Sequence, residues 1–242
     1  MTNIIQKKKV NLRIFGFLFV LAVVFAMTSL GLIWSYSYIP SGVTTTIHFL
    51  YPILVAIIMI FCFKEKKSLL LLVATLLSFV GVLFLCWSEE GVLNILGIVL
   101  ALITVVTYAL YIVGVGKFGI EKINPLIVTF YMLFFGTILF GIYAFTTTGI
   151  EPIKNSSEWV NLIILAFLPT VISDFSLILA IKYAGSTISA ILGVMEPVVA
   201  VCMGVCFFNE AFTLYSIVGL LLVIFAVVIV ILLVPQYKRN KT

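Results

Sequence analysis

Residues 186–210 read STISAILGVMEPVVAVCMGVCFFNE, and residues 41–65 read SGVTTTIHFLYPILVAIIMIFCFKE. Laid over each other without gaps, the two stretches carry a proline at the same place, Pro197 in one and Pro52 in the other. At this spacing the identical pairs are Tyr38 and Tyr183, Ser41 and Ser186, Pro52 and Pro197, Phe63 and Phe208, and Glu65 and Glu210. The pattern indicates an internal duplication.

The composition around the two stretches excludes a soluble domain. Of the 242 residues, 64% are apolar and 10% are charged, whereas soluble domains contain about 45–50% apolar and about 25% charged residues. A mean hydropathy of +1.33 leaves too little polar surface to face water. Because about 20 apolar residues span a bilayer, the chain has room for about eight to ten membrane helices and no second, soluble domain.

The apolar runs predict an all-α, polytopic membrane helix bundle. Charged residues and turn residues separate them, and each run is long enough to cross the bilayer. The eight predicted transmembrane helices cover residues 14–38, 43–63, 68–87, 92–115, 125–145, 159–181, 186–208 and 212–234.

The basic residues predict the orientation of this bundle. With eight crossings and a cytoplasmic N-terminus, only Lys154 of the 14 Lys and Arg residues falls on the outer side, as the positive-inside rule requires. Both termini are therefore expected in the cytoplasm. The basic N-terminus also fits a signal peptide, but its apolar run is long, lacks a small-residue cleavage site and precedes seven further spans. The net charge of +5 indicates contact with lipid headgroups and not with nucleic acid.

The duplicated stretches are expected to run in opposite directions, because an odd number of helices separates them. Inverted repeats of this kind build many secondary transporters, which bind their substrate near the midplane where matching helices are broken. Pro52 and Pro197, with Gly193 beside the second, are the predicted helix breaks, and the prolines deprive the carbonyls of His48 and Gly193 of a helical donor. The alternative is that the prolines only bend their helices.

The stretch from Ala180 to Pro197, followed by Phe208-Asn209-Glu210, resembles the C-terminal repeat of EamA-type carriers of the drug/metabolite transporter superfamily. Tyr38-Ile-Pro-Ser-Gly, Tyr51-Pro52 and Glu65 resemble its first repeat. The resemblance implies a carrier of a small metabolite, amino acid or drug-like solute in a bacterial inner membrane. Such carriers typically have ten helices in two halves of five. Residues 1–90 would then be a partial first repeat with three helices, and residues 91–242 a second repeat with five. A misassigned start codon, a truncated gene or an eight-helix variant would explain the difference.

Two acids lie within the predicted membrane segments, Glu196 at the middle of its helix and Asp174 about 6 Å from the middle of its own. A charge at the bilayer centre costs on the order of 3 kcal/mol, so each acid must be neutral, paired or in a wet cavity. Such a carboxyl group can contact substrate or carry a proton. For Glu196 the alternative is a structural hydrogen bond to a freed carbonyl, and for Asp174 it is neutralisation by Lys182.

Helical spacing places further polar groups on common faces, which are expected to turn inward. His48 and Tyr51 match Gly193 and Glu196 in the repeat, and together with Tyr108 and Tyr111 they are the candidate cavity lining. A lone histidine can equally be a packing residue. The other predicted faces are Thr104, Thr107, Tyr108 and Tyr111 on one helix, Thr170, Ser173 and Asp174 on a second, and Ser189, Gly193, Glu196, Ala200 and Gly204 on a third.

The sequence thus predicts a proton-coupled or otherwise driven secondary transporter with a small-molecule substrate, working by alternating access. An intramembrane enzyme would need a nucleophile with its base, or clustered metal ligands, and no catalytic residue, metal or cofactor is predicted. Cys202 and Cys206 lie one helical turn apart, but no His or carboxylate completes a metal site. The alternative function is a non-transporting membrane partner or a carrier remnant. The sequence leaves open whether the chain forms a homodimer.

Overall fold

The structure is a computed structural model that describes residues 11–65, 69–85, 94–147, 149, 152–153, 155–208 and 213–239. Within these ranges the chain consists of helices and turns and contains no strand. Five helices are long and apolar enough to span a membrane, namely Leu12–Tyr36, Ser41–Phe61, Ile95–Val115, Pro125–Thr146 and Ser156–Ala184. Three shorter apolar helices cover Leu69–Phe84, Ser186–Val199 and Ile217–Val230. These eight segments confirm the predicted all-α membrane bundle.

Three of the eight segments are interrupted, so the described part of the chain contains eleven α-helices, a short 3₁₀ turn at Ile120–Lys122 and a π-helical stretch at Phe167–Ile172. The helices are α1 (Leu12–Tyr36), α2 (Ser41–His48), α3 (Tyr51–Phe61), α4 (Leu69–Leu85), α5 (Ile95–Val115), α6 (Pro125–Thr146), α7 (Ser156–Ala166), α8 (Ser173–Ala184), α9 (Ser186–Leu192), α10 (Met195–Phe208) and α11 (Leu214–Arg239).

Both prolines of the repeat mark a helix break, as predicted. The chain leaves α2 at Phe49 and α9 at Gly193, and a tighter turn follows in each case, with the Leu50 N–H donating to Ile47 at 3.0 Å and the Val194 N–H donating to Ile191 at 3.2 Å. Each proline then lies in the first turn of the following helix, where its missing N–H leaves no helical bond unmade.

The predicted effect of Pro197 on the carbonyl of Gly193 was wrong in one respect. That carbonyl accepts a hydrogen bond from the Glu196 N–H at 3.0 Å, because a three-residue turn replaces the helical bond that the proline removes. The carbonyl that a side chain satisfies is instead that of Ala190, one turn earlier.

The chain folds into two compact units, and each unit is built from two segments that are not consecutive in the sequence. The first comprises Met1–Ala26 and Gly114–Gly185, and the second comprises Met27–Val113 and Ser186–Thr242. The sequence predicts a different division of the chain, into repeats at residues 1–90 and 91–242. This division stays a prediction.

Helices α4 and α11 of the second unit pack closely where both carry glycine. A Cβ atom added to Gly81 would lie 2.7 Å from Cγ2 of Val223 and 2.9 Å from the carbonyl oxygen of Gly219. Small residues allow such close approach of helix backbones in membranes, where dispersion contacts drive association. Gly81 is therefore required by the contact with α11.

Replacing Gly81 by Ala should destabilise the protein by about 1–3 kcal/mol, because the added methyl group overpacks the contact with the α11 backbone. Gly136→Ala is the matched control, since no atom lies within 4 Å of its added Cβ and alanine is the better helix former. Thermal unfolding in detergent should show a lower Tm for Gly81→Ala and an unchanged or higher Tm for Gly136→Ala. Equal Tm values for the two variants would contradict the close packing.

Candidate functional site

The second unit gathers four of the predicted site residues into an aromatic cluster, His48, Tyr51, Tyr108 and Tyr111. The ring centroids of Tyr51 and Tyr108 are 4.6 Å apart in an edge-to-face arrangement, and those of His48 and Tyr108 are 5.1 Å apart. Tyr111 stacks on Tyr108 with centroids 6.0 Å apart. Tyr111 is fully buried, Tyr51 is 3% exposed and His48 is 8% exposed, whereas Tyr108 is partly exposed. Tyr108 is therefore the accessible ring of the cluster.

His48 is held by a polar contact to α5. Its Nδ1 lies 2.9 Å from the hydroxyl oxygen of Thr104, and that hydroxyl donates its hydrogen to the Ala101 carbonyl at 2.6 Å. Since the threonine hydrogen is already used, we assign a proton to Nδ1, which donates to Thr104; in the neutral ring Nε2 is then an acceptor. The inward-facing polar face predicted on α5 is confirmed at Thr104, which is fully buried.

Tyr51 joins the two duplicated segments. Its hydroxyl group, at the start of α3, donates to the carbonyl of Ala190 in α9 at 3.3 Å. The same hydroxyl oxygen occupies the space where a Cβ of Gly193 would lie. The two proline-broken segments therefore meet at Tyr51, and Gly193 is required there because only a residue without a side chain leaves room for the hydroxyl group.

Glu196 lies in the first turn of α10 and its side chain is exposed, in contrast to the buried Tyr51. Glu196 follows Gly193, the residue that meets the Tyr51 hydroxyl group, by three positions. The structure thus brings together five predicted residues, His48, Tyr51, Tyr108, Tyr111 and Gly193, and places Glu196 in the turn that follows Gly193.

A second polar link between the duplicated segments was missed by the sequence analysis. The hydroxyl group of Thr187 donates to Oε2 of Glu65 at 2.7 Å, and the neighbouring Ser186 donates to the Ile112 carbonyl at 3.0 Å. Lys64 adopts a left-handed conformation with φ 53°, which turns Glu65 back so that its N–H donates to Met59 at 3.0 Å. The available signal was that Ser186 and Glu65 both recur in the repeat.

Asp174 lies in the first unit and is not part of the aromatic cluster. It is 8% exposed and stands in the first turn of α8, directly after the π-helical stretch. The predicted neutralisation by Lys182 was wrong, since the ammonium group donates to the Ile123 carbonyl at 2.9 Å. It lies two helical turns, about 12 Å of rise, beyond Asp174.

Of the predicted inward face of Thr170, Ser173 and Asp174, only Asp174 is buried, whereas Thr170 and Ser173 are exposed. In the π-helical stretch the Thr170 hydroxyl donates to Leu165, five residues earlier, at 3.2 Å. The wider turn changes the angular spacing of the side chains, so residues that would share a face on an α-helix no longer do. Such π-helical turns occur frequently at functional sites.

Among the described residues no group of three or more His, Cys, Asp or Glu side chains could hold a metal ion. The aromatic cluster itself presents three tyrosine rings with their hydroxyl groups and one histidine.

Comparison with known proteins points to transport. Residues 95–232 match the model of the EamA-like transporter family. A protein from Archaeoglobus fulgidus described as an "Uncharacterized transporter" is 26% identical over 195 residues, which are 80% of this chain and 69% of that protein. A solved crystal structure has a TM-score of 0.76 with this chain at 16% sequence identity, covering 90% of this chain and 76% of the other, and it supports the fold alone.

Proposed function

The chain belongs to the EamA-like transporter family and is a multi-pass membrane transporter, and from this premise we propose that it moves a small organic solute across the cell membrane by alternating access. We place both termini in the cytoplasm, because this orientation puts all but one basic residue on the inner side. The proposed solute site includes Tyr108, whose ring contacts Tyr51, and Glu196, three residues beyond Gly193.

The observation that carries this proposal is the contact of the two broken segments at Tyr51. Alternating access requires an element with two discrete arrangements that exposes one site first to one side and then to the other. A contact made by one hydroxyl group at 3.3 Å, beside a glycine that leaves just enough room, can separate and re-form. Glu196 lies in the first turn after the helix break at Gly193, so solute or proton binding there can favour one arrangement over the other.

The hydrogen bond between Thr187 and Glu65 is the basis for proposing which side of the membrane is closed in this arrangement. In the proposed orientation, the C-terminal end of α3, which precedes Lys64, lies at the cytoplasmic side. The N-terminal end of α9, which follows Lys182, lies at the same side. Hydrogen bonds of Ser186 and Thr187 hold α9 to α5 and to Glu65 there. We therefore propose that this arrangement is closed toward the cytoplasm at α9, and that opening inward breaks the bond between Thr187 and Glu65.

Proton coupling is the finer part of the proposal. A carboxyl group within the membrane can be loaded with a proton on one side and unloaded on the other, and intramembrane acids mark such relays by default. Glu196 is the candidate for this role because its side chain is exposed and it lies in the first turn of α10, directly after the helix break.

The test is solute counterflow in proteoliposomes that contain a covalently cross-linked variant of the protein. The double variant Glu65→Cys, Thr187→Cys, in a background without the four native cysteines, is bridged by a short bis-methanethiosulfonate reagent, which joins the two thiols through disulfide bonds that a reductant cleaves. Liposomes are preloaded with unlabelled amines, amino acids, sugars or carboxylates, and labelled tracer is added outside. We expect transient accumulation of tracer from at least one solute class, its loss on bridging, and its return on reduction.

Two results would contradict the proposal. Transport that continues in fully bridged protein would exclude the opening movement at α9. No accumulation for any solute class, with correctly folded protein, would favour a non-transporting membrane partner. The background without cysteines, treated with the same reagent, controls for nonspecific modification.

A further inference from the structure

An open apolar groove runs between α6 and α8 in the first compact unit. It has a volume of about 310 Å³ and is lined by Leu126, Phe130 and Leu133 of α6 and by Val171, Ile172 and Phe175 of the π-helical stretch and α8. This volume lies within the range of ligand sites, about 300–1,000 Å³. Leu126 and Phe130 are 61% and 62% exposed, so the groove opens sideways, toward the lipid that surrounds a membrane helix.

The lining of the groove suits a hydrocarbon chain. Thr129 is the polar residue among the lining side chains, and its hydroxyl group donates to the Pro125 carbonyl at 2.9 Å. The hydrogen of this hydroxyl group is therefore already used within α6. A solute that needs several hydrogen bonds would lose them on entering such a groove, whereas a hydrocarbon chain has no polar group to satisfy.

A lysine ammonium group lies at one end of the groove. Nζ of Lys182 donates to the Ile123 carbonyl at 2.9 Å, and Ile123 comes three residues before Leu126, where the α6 wall begins. Lys182 also follows Phe175 by seven residues, a spacing that places both side chains on one face of α8. An ammonium group has three N–H donors, and the bond to Ile123 uses one of them.

The same end of the groove carries an excess of positive charge. Lys122 is exposed at the end of the 3₁₀ turn, and Lys117 lies in the same connection between α5 and α6. The acid of this connection, Glu121, accepts a hydrogen bond from the Gly119 N–H at 2.9 Å. Together with Lys182, three lysines therefore face one acid in charge. Basic pockets between membrane helices bind anionic lipid headgroups at the cytoplasmic side, which is where the proposed orientation places this end.

The groove and its lysine have the dimensions of one bilayer leaflet. The α6 wall extends seven residues, from Leu126 to Leu133, and the α8 wall reaches Lys182 seven residues after Phe175. Each of these distances is about 10 Å of helical rise, whereas one leaflet of the hydrocarbon core is about 15 Å thick. The apolar lining therefore lies at the depth of acyl chains when Lys182 lies at the depth of headgroups.

From these observations we propose that the groove binds one anionic phospholipid, with an acyl chain against Phe130 and Phe175 and the phosphate group at Lys182 and Lys122. In the proposed orientation this lipid comes from the cytoplasmic leaflet. The lipid site belongs to the first compact unit, whereas the aromatic cluster belongs to the second. The inference does not depend on the proposed solute site or on transport.

The first test compares three probes on the unmodified full chain in a neutral detergent, by native mass spectrometry. The probes are dioctanoyl phosphatidylglycerol, dioctanoyl phosphatidylcholine and glycerol phosphate. We expect one phosphatidylglycerol per chain, with an affinity at least about fivefold above that of phosphatidylcholine, and no binding of glycerol phosphate at the same concentrations. Equal affinity for the two lipids would overturn the inference, and so would equal affinity for glycerol phosphate and phosphatidylglycerol, which would indicate a site for free phosphate.

Charge variants then locate the headgroup. Lys182→Gln and Lys122→Gln should each weaken binding of phosphatidylglycerol by about fivefold and leave binding of phosphatidylcholine unchanged. Glutamine at residue 182 keeps an N–H donor for the Ile123 carbonyl. Unchanged affinity for phosphatidylglycerol in both variants would place the lipid elsewhere.

Arg13→Gln is the matched control for the net charge of the chain. Arg13 lies in the first turn of α1, and Phe15 of that helix contacts Tyr131 and Phe135 of α6, which do not line the groove. This variant should bind phosphatidylglycerol as the unmodified protein does. An equal loss of affinity in Arg13→Gln and in the two lysine variants would show that overall charge attracts the lipid, and it would overturn the inference.

A larger side chain in the groove tests the place of the acyl chain. Leu133→Trp should lower the affinity for both lipids severalfold, because the indole ring occupies the groove. Ile138→Trp is the control, since Ile138 is 45% exposed on the same helix and does not line the groove. Elution as a single folded species in detergent is required of both variants. Lipid binding that is unchanged in Leu133→Trp would overturn the inference, as would a dimer that binds no lipid and dissociates in Leu133→Trp, which would assign the groove to a second copy of the chain.

Discussion

Glu196→Gln should lose accumulation driven by a pH gradient. If one proton is exchanged or carried per solute, a gradient of one pH unit supports about tenfold accumulation at equilibrium, and the variant should reach a ratio of about one. Glutamine has nearly the same size and keeps hydrogen-bonding ability, but it cannot release a proton or hold a cation by charge. The measurement is the steady-state ratio of labelled solute inside and outside proteoliposomes, at several imposed pH gradients.

The control for this result is Glu158→Gln, because Glu158 lies in the first turn of α7, where Asn155 donates to it at 3.0 Å. That variant should accumulate solute as the unmodified protein does. If Glu196→Gln still responds to the pH gradient with the full ratio, the proton is carried by another group, and Glu196 has no coupling role.

Gly193→Ala should slow solute exchange strongly while the protein still folds. The added Cβ would collide with the Tyr51 hydroxyl oxygen, and overpacking of this kind costs about 1–3 kcal/mol. If this free-energy cost applies only to the arrangement in which Tyr51 joins α3 to α9, the population of that arrangement relative to the separated arrangement falls by about 5- to 150-fold. Initial rates of counterflow measure the effect, and elution as a single folded species in detergent serves as the folding control.

The double variant Gly193→Ala, Tyr51→Phe tests the cause. Phenylalanine lacks the oxygen atom that the new methyl group would meet, so exchange should recover toward the level of Tyr51→Phe alone. That single variant loses only the bond to Ala190, worth about 0.5–1.5 kcal/mol. A double variant as slow as Gly193→Ala would show that the collision is not with Tyr51.

The sequence predicts the helices of this chain well because each one ends at a strong local signal. The predicted span 43–63 corresponds to α2 and α3, and the predicted span 125–145 corresponds to α6, which begins at Pro125 after an Asn124 cap. The helix breaks were predicted because proline acts on its own backbone. Signals of this kind depend on residues that are adjacent in the chain.

The candidate site could be predicted only where the helical period is regular. His48, Tyr51 and Tyr108 were proposed from spacing and from the repeat, and the structure joins them. The exposure of Thr170 and Ser173 could not be predicted, because a π-helical turn changes the period that the argument assumes. The partner of Glu65 could not be predicted either, since it depends on a left-handed residue, Lys64, that turns the chain back after α3.

The short helix α9 has a mechanical consequence for the whole chain. Its seven residues are fastened at three points, by Ser186 to α5, by Thr187 to Glu65 and at Ala190 by Tyr51. The helix is interrupted directly after α9, where the Val194 and Glu196 N–H groups donate to residues three positions earlier. In the proposed cycle, loss of the Thr187–Glu65 and Tyr51–Ala190 bonds would leave α9 held to α5 by Ser186, and residues 193–194 would be the joint at which α9 turns relative to α10.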